Sequence, residues 1–199
     1  MRDTGKFEQR VRQSIQASIA VKDLLLKNTE TVSIIAEVGE RLVETIRKGN
    51  KVLLFGNGGS AADAQHLAAE LNGRFLRERP SLSGWALTTN PSALTAIGND
   101  YSFDEVFSRQ LAGLGNDGDI AFAISTSGKS PNVLKALRLA RDNSLVCIGL
   151  TGGSGGQLRE LVDHCICIPS DQTPRIQEAH ILTGHILCEL IDEELFGDN

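Results

Sequence analysis

A chain of 199 residues with 41% hydrophobic content is long enough to bury one sizeable core, and its formal net charge of −5 (20 Lys and Arg against 25 Asp and Glu) argues against a broad nucleic-acid-binding face. No apolar stretch approaches the ~20 residues a membrane span needs, and the amino-terminal MRDTGKFEQR has no apolar run behind its charges, so a cytoplasmic protein is expected, with neither membrane nor nucleic acid as a direct partner. The four cysteines, Cys147, Cys165, Cys167 and Cys188, form no CxxC pair and read as reduced core thiols; Cys165 and Cys167 alternate with Ile166 and Ile168, as one face of a buried strand would.

In chain order, residues 4–48 carry two long helix-like patterns broken near Asn28. In the second, Val32, Ile35, Val38, Leu42 and Ile46 recur at steps of three and four, which predicts an amino-terminal helical arm. The pattern then changes to short apolar runs at 52–56 (VLLFG), 84–88 (GWALT), 119–125 (DIAFAIS), 145–150 (LVCIGL) and 164–169 (HCICIP), each too short for a helix. Helix-like segments lie between them at about 60–76, 102–114, 130–143 and 154–162, and another at about 175–195 closes the chain. With no linker-like tract, residues 1–199 read as a single domain, with helices over 1–48 and an α/β core with its carboxy-terminal helix over 49–199. Alternation of strands and helices predicts a parallel sheet, and five strands suit the flavodoxin-like order 2-1-3-4-5. In that order the winding reverses between the first and third strands, and ligands bind at their carboxyl ends. The first strand runs into GNGGS and the third into STSGKS, so these two turns are expected to meet.

Gly56 to Ala61 satisfies the G-x-G-x-x-G/A dinucleotide pattern, but the second strand ends LTTN, without the acidic residue that would hold a ribose. The second turn, residues 123–130, ends like a Walker A loop, but Ala123 stands where its first glycine belongs. What the turn does offer is the hydroxyls of Ser125, Thr126, Ser127 and Ser130, a glycine, and free N–H groups at a helix start, which are the requirements for a phosphate monoester. Ser130 also fits as the cap of a helix starting at Pro131, a role compatible with phosphate binding.

Ser60 is expected to cap the next helix, with Asp63 completing a shortened capping box. From that helix His66 and Glu70 project at i and i+4 on one face, where they can share a metal or a proton, while Leu67 and Leu71 face elsewhere. The final helix carries Gln177, Glu178, His180 and His185. On a wheel Glu178 and His185 nearly superimpose and Gln177 lies about 80° away, so geometry alone favours Glu178 as the partner of His185; His180, about 140° away, is expected to pack or cap. Two histidines and a glutamate suit Zn²⁺ by ligand type, although their spacing over two helices is not a recognised metal signature.

Together, GNGGSAADAQHLAAEL, GND at 98–100, ISTSGKSPN and RIQEAH…GH resemble the sugar isomerase (SIS) domain, and within it the phosphoheptose isomerases, over nearly the whole chain. The resemblance implies a homotetramer that converts sedoheptulose 7-phosphate to D-glycero-D-manno-heptose 7-phosphate, the first step of bacterial ADP-heptose and lipopolysaccharide core synthesis. It implies that Asn57, Gly58 and Gly59 lie beside the sugar, that Asn99 and Asp100 line the same site, and that Ser60, Ser125, Thr126, Ser127 and Ser130 contact the substrate, chiefly its phosphate. His66, Glu70, Gln177 and His185 match the family's zinc positions, one Zn²⁺ per subunit, so the resemblance favours Gln177 over Glu178. It also counts His66, Glu70 and Gln177 among the substrate contacts, and makes Glu70 and His185 the acid/base pair. Arg74, one turn after Glu70, would neutralise charge nearby. Pro174 departs from the pattern, since some members carry there a polar residue that contacts the sugar.

Aldose–ketose interconversion through an enediol needs a carboxylate base near carbon and a proton donor or Lewis acid near oxygen, roles that Glu70 and His185 can fill. A carboxylate bound to Zn²⁺ is a poorer base, so either Glu70 leaves the metal when substrate binds or zinc is structural in some states. The alternative of another class is a binding protein like the DnaA initiator-associating member of the same subfamily, some of whose flavour appears in RPSL at 79–82 and LTAI at 94–97. Glu70 and His185, which that protein lacks, favour the enzyme.

Overall fold

The computed structural model describes residues 4–197. Helices α1 (Thr4–Lys27) and α2 (Thr29–Arg47) part at Asn28, whose side chain accepts the Thr31 N–H at 3.0 Å and caps α2. α2 buries Ile35, Val38, Leu42 and Val43 against the core. α1 buries Val21 and Leu25 but leaves Phe7, Val11, Ile15 and Ile19 exposed along one side.

Strands β1 (Val52–Gly56), β2 (Gly84–Ala86), β3 (Ile120–Ser125), β4 (Val146–Gly152) and β5 (His164–Ile168) form a parallel sheet in the order β2-β1-β3-β4-β5, the expected flavodoxin-like topology. Alternate residues feed two cores. Leu54, Phe122, Ile124 and Leu150 pack beneath α2, α3 (Gly59–Asn72) and α7 (Thr173–Phe196), whereas Leu53, Phe55, Ala121 and Cys147 pack beneath α5 (Ser108–Leu114) and α6 (Pro131–Asp142). Full burial of each Leu, Ile or Phe is worth roughly 1.5–3 kcal/mol relative to exposure, so the sheet and not the arm carries most of the stability.

Three helical expectations shift. The segment 102–114 is a 3-10 turn at Phe103–Glu105 followed by α5, and it is preceded by a helix the periodicity does not reveal, α4 (Pro91–Asp100). Asn90 caps α4 by accepting the Ala93 N–H at 3.0 Å, and Pro91 occupies its first turn. The helix expected to reach 76 ends at Asn72, whose side chain instead donates to the Gly84 carbonyl at 2.8 Å. The segment 154–162 is a 3-10 helix, Gly156–Leu161, entered through left-handed Gly155 and Gly156.

Candidate active site

Gly56 pairs with Ile124 in register, which sets the glycine-rich turn after β1 beside the serine turn after β3. The contact is close: a Cβ on Gly56 would stand 2.6 Å from the Ile124 carbonyl. Asn57 crosses between the turns and exchanges side-chain amide hydrogen bonds with Asn132 at 2.9 and 3.0 Å. Asn132 is buried in the first turn of α6 and fixes the glycine turn; the sequence signal for it was the PN that closes ISTSGKSPN.

The cap of α3 is Gly58, at φ 58°, and not Ser60. Ser60 is buried one residue inside the helix, because the chain reverses on Gly58 and the helix starts at once. Asp63 therefore completes no capping box; one of its carboxylate oxygens is buried without a partner, and burial raises the carboxyl to about 6, opposed by nearby His66. Ser130 likewise stands at the cap position of α6 without bonding into the helix; its Oγ lies 3.2 Å from Ser125 Oγ. Ser127 Oγ accepts the Lys129 N–H at 3.2 Å. Thr126, Ser127 and Lys129 form one wall of a cleft of about 340 Å³, closed opposite by Gly152, Gly153 and Ser154 and by Ser170, Asp171 and Thr173 leading into α7. Sequence reasoning missed these opposing groups, which are short polar residues without a periodic signal.

Helices α3 and α7 approach closely at Gly184, where a Cβ would meet the Leu67 side chain at 2.5 Å. That approach brings His66, Glu70 and His185 together. His66 Nε2 lies 2.9 Å from His185 Nε2 and 3.2 Å from Glu70 Oε1, and one donor atom from each of the three falls within 4.8 Å of the others. Phe75 stacks on the His185 ring at 5.4 Å and holds its orientation. Two imidazole nitrogens and a carboxylate oxygen, converging from rigid helices, are a donor set that fits Zn²⁺.

Gln177 and Glu178 part on α7. Its amide lies over the glycine turn, where a Cβ on Gly59 would meet Nε2 at 2.2 Å. Glu178 turns away and pairs with Arg175 at 2.6 Å, beside Ser18 and Lys22 of α1. The wheel measures angles from His185 alone, while the turn after β1 meets α7 two turns earlier, at Gln177. His180 packs, as expected: it is fully buried, and burial lowers it to about 4, opposed by the Thr151 backbone against which it lies.

Residues 19–152 match the SIS domain family model. The chain is 60% identical over 159 residues to phosphoheptose isomerase 1 of Campylobacter jejuni, covering 80% of this chain and 86% of that one. It is 50% identical over 186 residues to phosphoheptose isomerase of Aneurinibacillus thermoaerophilus, covering 94% of each. The chain belongs to the phosphoheptose isomerases of the SIS domain family. The fold of this isomerase is similar to that of phosphoheptose isomerase from Neisseria gonorrhoeae, with a TM-score of 0.88 and 42% identity over 94% of this chain and 99% of the other.

Three expected site residues of the isomerase stand apart from the cluster. Arg74 lies beyond the end of α3 and faces Glu78 at 3.7 Å, not the Glu70 carboxylate. The arginine that reaches Glu70 is Arg79, which donates to the Glu70 and Leu71 carbonyls at 2.7 and 2.9 Å and to Asp192 at 2.6 Å. Asn99 and Asp100 end α4 on the surface, bonded to each other at 2.9 Å, and make none of the contacts that join the two turns or the His66 cluster.

Proposed function

We propose that this isomerase interconverts sedoheptulose 7-phosphate and D-glycero-D-manno-heptose 7-phosphate through an enediol, the entry to ADP-heptose and lipopolysaccharide core synthesis in the bacterial cytoplasm. The observation that carries the reading is the convergence of Glu70 with His185 across the α3–α7 contact, on the helix that begins beside the serine turn. Ser125, Thr126, Ser127 and Ser130 hold the phosphate with the N–H groups that open α6, and Asn57, Gly58, Gly59 and Ser60 lie along the sugar. Glu70 takes the proton from C1 of the ketose, His185 gives a proton to the C2 oxygen, and the enediol forms. Glu70 then returns its proton to C2 as His185 takes the C1 hydroxyl proton, which leaves the aldose. Binding the phosphate far from the reacting carbons lets remote binding energy orient the sugar.

His66, Glu70, Gln177 and His185 would hold one Zn²⁺ per subunit, which would supply Lewis-acid polarisation of the sugar oxygens. The same proposal takes residues 1–199 as one domain of a homotetramer, in which α1 buries its exposed apolar side. The initiator-binding alternative is not favoured, because relatives at 50% and 60% identity are named isomerases and Glu70 and His185 are both present.

The test is to incubate purified protein with sedoheptulose 7-phosphate and follow the sugar phosphates by NMR, with His185→Gln as control. A new aldoheptose 7-phosphate from the wild type, lost in the variant, is expected; a folded, zinc-supplied protein that leaves the ketose unchanged would overturn the reading.

A further inference from the structure

We propose that Cys165 and Cys167 are a peroxide-sensitive dithiol, whose oxidation to a disulfide within β5 displaces the serine turn. The link to the turn rests on the reading of residues 125–130 as the phosphate site.

The two Sγ atoms lie 3.6 Å apart, on one face of a strand at the edge of the sheet, and both residues are partly exposed. The mechanism above uses neither. The four cysteines divide sharply: Cys147 and Cys188 are buried, and burial pushes each thiol up to about 12. Cys167 is held down to about 7, first by the hydrogen bond from Cys165 and further by Arg159, against its own burial and the charge of Glu30. The same shared hydrogen bond raises Cys165. The pair thus presents one nucleophilic thiolate with a resolving thiol beside it, while the sealed cysteines stay inert.

Contacts lead from this pair to the serine turn without a gap. A Cβ on Gly155 would stand 3.2 Å from Cys167 Sγ, so the sulfur fills the space beneath that glycine. The Gly155 carbonyl in turn presses on Gly128, at whose α-carbon a Cβ would stand 2.0 Å from it, and a Cβ on Gly156 would stand 2.7 Å from the Ser127 carbonyl. Gly128 also accepts the Leu158 N–H at 3.0 Å, tying the turn to the 3-10 helix that carries Arg159. In an extended strand the α-carbons of residues two apart are about 6.6 Å apart, from two rises of about 3.3 Å. That lies at the wide end of the range disulfides span, about 4.4–6.8 Å, and closing the sulfurs from 3.6 Å to a bond of about 2.0 Å shifts Cys167 Sγ from its place under Gly155. A bond between two partly exposed cysteines is open to a dithiol reductant, as a reversible device in a reducing compartment needs.

The chemistry is a two-electron oxidation with hydrogen peroxide as oxidant. The Cys167 thiolate attacks one peroxide oxygen, the O–O bond breaks, and the leaving hydroxide is protonated to water. Cys165 sulfur then attacks the sulfenic sulfur; the S–S bond forms, the S–O bond breaks, and the departing oxygen with the Cys165 proton leaves as a second water. A dithiol reductant reverses it.

The experiment treats the reduced full-length protein with hydrogen peroxide. It reads the tryptic peptide Glu160–Arg175, which holds Cys165 and Cys167 and neither other cysteine, by mass spectrometry, and inorganic phosphate binding by calorimetry. The peptide is expected to lose two hydrogens and phosphate affinity to fall about tenfold, both reversed by dithiothreitol. Cys165→Ser should stop at a sulfenic acid trapped by dimedone, and Cys167→Ser should keep its phosphate affinity under peroxide. Free thiols in the treated peptide, or a disulfide with unchanged phosphate affinity, would overturn the proposal. A protein that binds no phosphate in either redox state would overturn the link to the turn by refuting the phosphate site itself, which the peptide mass distinguishes from failure of the dithiol.

Discussion

Gln177 shows how one side chain's position turns on the absence of another's. It occupies the volume that any side chain at Gly59 would need, so Gly59→Ala should drive the amide off the glycine turn. Because the displaced group is the tip of a flexible side chain, the variant is expected to lose turnover and zinc affinity by about tenfold or more while its urea midpoint stays near wild type. The wheel's preference for Glu178 used only which residues share a face of α7; a sequence does not state where along α7 the glycine turn comes to rest. His180 carries a pH prediction. Its folded value of about 4 lies below the ordinary 6.5, so its contribution is fully present above pH 6.5 and is lost as pH falls towards 4, where the unfolded chain takes up a proton that the folded chain refuses. Between pH 7 and pH 5 this amounts to roughly 2 kcal/mol. His180→Leu removes the group that refuses the proton, and urea titrations at the two pH values should show that share of the loss abolished.

Among the elements, the five strands and their order were legible because each is a short apolar run, the three inner ones buried on both faces, and the parallel crossover rules leave few ways to wind them. The convergence of His66, Glu70 and His185 was legible only in part: i and i+4 spacing put the first two on one face, whereas the resemblance to known isomerases, and not any local pattern, brought His185 to them. Helix α4 was missed because Leu94 and Ile97 are only partly buried and make no full stripe, although Asn90 and Pro91 spell a start signal. Arg79 was missed for a different reason, since nothing local marks an arginine that folds inward. Its side chain and that of Asp192 are 1% and 2% exposed, and between them they tie the end of α3, including the Glu70 carbonyl, to α7. Arg79→Met should therefore cost about 3 kcal/mol in urea unfolding, the low end for a broken buried pair, because Asp192 keeps the Leu76 and Arg77 N–H groups at 3.0 and 3.1 Å.

For the molecule as a whole, the arm is the part left unfinished. Phe7, Val11, Ile15 and Ile19 repeat at steps of four along α1 and all lie more than half exposed, a stripe that a stable monomer would not keep in water. A second copy of the chain covers it in the proposed tetramer. Sedimentation velocity should then find the wild type as tetramer and an Ile15→Glu, Ile19→Glu double variant as smaller species; an unchanged sedimentation coefficient would locate the interface elsewhere.

In the proposed reaction Glu70 moves a proton between adjacent carbons at the site built by α3 and α7. The most direct measurement is turnover of sedoheptulose 7-phosphate in D₂O by the wild type and by Glu70→Gln, with NMR reading deuterium at C2 of the product. Deuterium at C2 with the wild type, and neither product nor exchange with the folded, tetrameric variant, is the predicted result. Product formed without solvent deuterium, or full activity in Glu70→Gln, would contradict it.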